Sequence, residues 1–97
     1  MNEALIIKNR EDIAPQLDLA MEAFKDDILP ALGVDDFFID IYTTHRDDTI
    51  EIRWRWKRLR KKVSKQFTLS ANDTAEAFLD RVHSYLFHLI ISIVNLK

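Results

Sequence analysis

The chain has 97 residues, 47% of them hydrophobic and 31% charged, with a formal net charge of −2. That is enough apolar material for one buried core without help from metal or disulfides. The absence of cysteine excludes a disulfide framework, a Cys-based zinc site and a thiol nucleophile.

The near-neutral total conceals an asymmetry. Residues 1–52 carry 13 acids against 4 bases, net −9, and residues 53–97 carry 10 bases against 3 acids, net +7. A dipole of this kind exerts little long-range pull on bulk nucleic acid, although a local basic patch still binds phosphate. The opening MNEALIIKNRED has too short an apolar run and too acidic a flank for a secretory signal. Tyr85–Leu96 is the most apolar segment, yet it is about half a membrane span and contains His88, Ser92 and Asn95. A cytosolic protein with no membrane insertion is therefore expected. Gly33 is the only glycine and no linker or repeat interrupts the chain, so residues 1–97 read as one domain.

In chain order, Ile13, Leu17, Met21, Phe24 and Ile28 recur at helical spacing. Asp12 is a suitable N-cap, Pro15 falls within the first turn, and Pro30 ends the helix. Asp26 and Asp27 then sit in the last turn, where the macrodipole disfavours them by up to ~1 kcal/mol.

DDFFIDIYT, DTIEIRWRW and VSKQFTLS follow, three runs that alternate with period two and are rich in β-branched and aromatic residues. A hairpin turning at Thr44–Asp47 would pair Phe37 with Trp54, Ile39 with Ile52 and Ile41 with Ile50, all apolar. The opposite face then carries Phe38, Asp40, Tyr42, Glu51, Arg53, Arg55 and Lys57. Trp54 and Trp56 fall on the core face, and Arg58 to Lys62 form the tip of the second hairpin. Lys65 shares the parity of Val63, Phe67 and Leu69, which predicts a side chain reaching out at a sheet edge or a bulge.

Asn72 or Asp73 would cap a last helix running to about Asn95, with Phe78, Val82, Leu86, Leu89 and Ile93 in one stripe. The predicted fold is α+β: α-β-β-β-α, a three-stranded antiparallel sheet with both helices on one face and the other face bare. Phe87, Ile91 and Val94 form a second apolar row on the last helix. The first helix, the segment Ala4–Ile7 or a second copy of the chain must cover it, which makes a homodimer a candidate assembly.

Catalytic groupings are sparse. His83 and His88 are five apart on a helix and face different ways, and His45 lies in a turn, so no metal site and no cofactor is expected. In the pairing above Asp40 stands opposite Glu51 with Arg53 two residues on. This is similar to the paired acids and Glu-x-Lys signature of the restriction-type nucleases, although arginine replaces the lysine and the later strands of that fold are lacking. Cross-strand ion pairs on a wet face explain the same residues.

Three acid pairs, Asp26-Asp27, Asp35-Asp36 and Asp47-Asp48, give the first half its negative field. The basic hairpin holds Arg53, Arg55, Lys57, Arg58, Arg60, Lys61 and Lys62, and Phe38 and Tyr42 share the bare face with its first members. Such a surface suits stacked bases and phosphate, or an acidic protein partner. The element order resembles the double-stranded-RNA-binding domain, with Ser70–Thr74 standing where that family has its lysine cluster. Charge alone also explains a hairpin kept soluble and guarded against edge aggregation.

A non-catalytic protein-binding regulator or inhibitor is the expected function, acting through the sheet face, the basic hairpin and the acidic half. In size, cysteine content and element type the chain resembles anti-CRISPR proteins of phages and mobile elements. The alternative is a nucleic-acid-binding domain using residues 53–65.

Overall fold

The computed structural model describes residues 2–43, 49–70 and 73–96, with side chains from Ile13 onward apart from Thr43. The fold is α+β. Helix α1 (Asn2–Ala23) continues without a break through a π-helical turn (Phe24–Ile28) into the short α2 (Leu29–Ala31). Three strands follow, β1 (Phe37–Thr43), β2 (Thr49–Trp56) and β3 (Lys61–Thr68), antiparallel in the order β1-β2-β3, and the long α3 (Ala75–Leu96) closes the chain. Asp47, Asp48 and His45 lie outside the described residues.

The first helix departs from expectation at both ends. The backbone is already helical at Asn2, so Asp12 is not the helix start and Pro15 is an interior residue, where it removes one backbone bond. Pro30 does not end the helix either. The Leu29 N–H bonds to the Phe24 carbonyl, widening the turn just before a residue that has no N–H to give. Termination comes at Gly33, whose φ of 69° is easy only for glycine. The Val34 N–H reaches the Leu29 carbonyl and the Gly33 N–H the Pro30 carbonyl, both at 3.0 Å, which is a Schellman ending. Asp26 and Asp27 therefore lie in the π turn, exposed, rather than at a helix terminus.

The β1–β2 register is shifted by two residues from the expected one: Phe37 faces Trp56, Ile39 faces Trp54 and Ile41 faces Ile52. A shift of two leaves every side chain on its expected face, so apolar alternation cannot distinguish the two registers. Asp36 supplies what alternation lacks. Its backbone carbonyl accepts from the Lys57 N–H at 3.1 Å, while its carboxylate accepts from Trp56 Nε1 at 2.9 Å and the Arg58 N–H at 3.1 Å. These bonds fasten the end of β2 to the start of β1.

The second hairpin turns through a 3-10 segment, Lys57–Leu59, and Arg60, whose φ of 52° is left-handed. The β2–β3 ladder is regular, with Lys65 opposite Ile52, so Lys65 projects from an edge strand and marks no bulge. The cap of α3 among the described residues is Thr74 rather than Asp73, its Oγ1 accepting from the Ala77 N–H at 3.1 Å, and Asn72 lies outside the described residues. Asp73 instead accepts from the Ser70 N–H and grips Arg81 through two 3.0 Å bonds. These contacts hold its carboxyl down at about 2, the Arg81 bond being the main cause.

One cluster of buried residues spans the elements. Ile13, Leu17 and Phe24 from the first helix meet Ile39, Ile50, Ile52 and Trp56 from the sheet and Phe78, Val82 and Ile93 from α3. By length and composition α3 could cross a membrane, and its stripe Phe78, Val82, Leu86, Leu89 and Ile93 is buried in this core. Phe87, Ile91 and Val94 remain 60%, 41% and 51% exposed, so the described side chains do not cover them, and those of Ala4–Ile7 lie outside the described residues.

Candidate binding face

With both helices on one side, the other side of the sheet is open. Its rows run across the strands as Phe38, Arg55 and Lys62; then Asp40, Arg53 and Ser64; then Tyr42, Glu51 and Gln66. Phe38 and Tyr42 are 43% and 44% exposed and stand on the same face of β1, on either side of the Asp40 row. The Arg53 guanidinium lies 4.4 Å from the Tyr42 ring centre, and Arg55 and Lys57 lie 4.9 and 5.3 Å from that of Phe38. Each aromatic is therefore packed against cations that also point at solvent, a pairing worth about 0.5–1 kcal/mol at an exposed position. Between Phe38, Tyr42, Arg53, Arg55 and Lys62 lies a shallow depression of about 460 Å³.

Charges on this face fall into two groups. Arg53 donates to Glu51, which also accepts from Gln66 Nε2 at 3.2 Å, and Lys25 reaches around the β1 edge to Asp40 at 2.7 Å. The Arg53 bond, followed by that of Gln66, holds the Glu51 carboxyl below its ordinary range, and Glu51 in turn raises Arg53. Both groups stay charged and mutually occupied. Among the described residues no acid lies within ion-pair distance of Arg55, Lys57 or Lys62, so these three supply the net positive charge of the face.

The seven cations of the basic hairpin do not make one patch. Arg53, Arg55 and Lys62 belong to the open face, with Lys57 leaning onto Phe38 at its end. Arg58 and Arg60 are exposed at the turn. Lys61 is on the helix side, 5.8 Å from the Trp54 ring centre. Sequence periodicity predicts this division for β2, but the turn had to be seen before Lys61 could be assigned.

The shifted register also removes the arrangement that resembled the restriction-type nucleases. Asp40 faces Arg53 and Glu51 faces Tyr42, so the two carboxylates are not opposite each other, and each has its own cation. Among the acid pairs, Asp26, Asp27 and Asp35 are exposed, whereas Asp36 is half-buried and serves the hairpin. Lys25 and Tyr85 are contributors that sequence reasoning missed. Lys25 reaches Asp40 only because the π turn sits beside the β1 edge, and the Tyr85 hydroxyl takes the Trp54 Nε1–H at 2.9 Å. Neither contact has a short-range sequence signal.

Comparison with protein-family models, curated proteins and solved structures returns no match.

Proposed function

We infer that the open sheet face is a docking surface for an acidic region of another protein, and that the chain acts by binding, as a small non-catalytic regulator or inhibitor in the manner of anti-defence proteins. The observation that carries this reading is the pair Phe38 and Tyr42, half-exposed on one face on either side of the Asp40 row, each covered by a cation. Aromatic residues and arginine at the centre of a face are the usual energetic anchors of protein interfaces. The cations stacked on both rings also occupy ring surface that a nucleic-acid base would stack on.

Affinity capture from nuclease-treated lysate of the source cell tests it, with the wild-type chain and an Arg55→Glu, Lys57→Glu variant run side by side. A discrete protein retained by the wild type and lost with the variant is the expected result. Equal retention by both would remove the open face from consideration.

Nucleic-acid binding is the second reading, favoured by the exposed Lys57, Arg58, Arg60, Lys61 and Lys62 around one turn. It requires affinity for oligonucleotides that falls linearly with the logarithm of salt concentration. Anisotropy titrations of labelled single- and double-stranded oligonucleotides decide between the two. Tight binding that collapses with salt and on changing Arg53, Arg55 and Lys57 to alanine would replace the protein-docking reading.

A further inference from the structure

We propose that the outer edge of β3 takes up an extended acidic segment of a partner protein as a fourth strand. The sheet ends at β3, which pairs with β2 without interruption from Lys61 opposite Trp56 to Thr68 opposite Thr49. It contains neither proline nor bulge, so alternate backbone N–H and C=O groups along eight residues point away from the sheet. Among the described residues, the Thr68 carbonyl, which accepts from Arg81 at 3.4 Å, is the only β3 backbone group that bonds beyond the sheet. The opposite edge is differently equipped: α1 packs on β1, and the Lys25–Asp40 pair crosses its rim.

The helical layer also stops short of β3. Ile52 and Ile50 on β2 are buried, while their β3 neighbours Lys65 and Phe67 are exposed and half-exposed respectively. Val63 is likewise half-buried beside the half-buried Trp54. An added strand would cover Val63 and Phe67 and satisfy the outward backbone groups in the same step, which is the physical basis of strand addition.

Charge selects the occupant. Lys61 and Lys65 flank the edge on the helix side and Lys62 on the open side. Two β3 strands meeting edge to edge would bring the three lysines of each copy, Lys61, Lys62 and Lys65, onto one seam with no acid on β3 to offset them, so a second copy is disfavoured. An acidic strand turns the same lysines into cross-strand partners. In an antiparallel pairing the segment needs acids opposite Lys61, Lys62 and Lys65 and apolar residues opposite Val63 and Phe67. This inference stands on the β3 edge and is independent of the Phe38–Tyr42 surface.

The probe is a fluorescein-labelled peptide, Thr-Val-Thr-Glu-Thr-Val-Glu-Glu, titrated into the full chain by anisotropy, with amide hydrogen exchange of the complex as the second readout. Saturable binding is expected, with new protection at alternate β3 amides. Lys61→Glu, Lys65→Glu should weaken it by about tenfold or more, the scale of two cross-strand charge pairs. The same peptide N-methylated at alternate residues, which keeps the side chains and removes the pairing donors, should not bind. Arg55→Ala should weaken capture through the open face and leave peptide affinity in place, so failure of one surface is distinguishable from failure of the other. No binding by the parent peptide would overturn the inference. So would equal binding by the N-methylated peptide, or binding without protection in β3.

Discussion

Asp36 takes three hydrogen bonds from the far end of the second strand, one on its carbonyl and two on its carboxylate. Changing it to alanine leaves the indole N–H of the buried Trp56 without a partner, at a cost of about 1–3 kcal/mol. The Asp36→Ala chain should therefore show an earlier midpoint in urea unfolding, and an unchanged midpoint would mean that the hairpin needs no such fastening. Asp73 offers a test with a sign. Its carboxyl is lowered from 3.8 to about 2, so the stability it contributes is fully present above the unfolded value and is lost as pH falls through the folded one. Wild type and Asp73→Asn should differ most above about pH 4, by no more than about 1 kcal/mol because the Arg81 pair is largely solvent-screened, and should converge only below about pH 2. A gap that stays undiminished from neutral pH down through about pH 2 would contradict this assignment.

At the level of elements, composition and periodicity were sufficient for the order α-β-β-β-α, for the faces of all three strands and for the buried stripe of α3. They were insufficient wherever a contact between distant segments decides. The strand register hangs on Asp36, which is sequence-remote from Trp56 and Arg58, and the alternating pattern is blind to an even shift. Pro30 was legible as a helix stop, yet the π turn before it lets the helix run on until Gly33. Gly33→Ala should destabilise the chain by about 1 kcal/mol, since alanine tolerates the left-handed conformation poorly; thermal unfolding measures it, and no change would mean that the turn rearranges cheaply. Lys65 is the charge that interrupts the helix-side row of an edge strand. Lys65→Thr should leave stability nearly unchanged and promote self-association, read by sedimentation velocity, because an uncharged edge invites pairing with its own kind. A strictly monomeric variant would show that Lys61 and Lys62 guard the edge without it.

Over the whole molecule, 47 × 22 × 18 Å, the charge asymmetry read from the sequence resolves into separate surfaces. Cations occupy the open face, the hairpin turn and the helix-side edge of β3, and within the open face Glu51 and Asp40 hold two of the neighbouring cations. What distinguishes that face is the half-exposed Phe38 and Tyr42 under Arg55 and Arg53, a grouping that needs β1 and β2 in register and was legible only as a shared parity. Its role as a protein-docking surface is tested most directly by placing a photo-crosslinking phenylalanine analogue at Phe38, a near-isosteric change, and irradiating in nuclease-treated lysate of the source cell. The same analogue at the exposed Asp18 of α1 serves as the control. A discrete protein adduct formed from position 38 and not from position 18 is the expected result. The same adducts from both positions, or an adduct that forms only when nucleic acid is left intact, would contradict it.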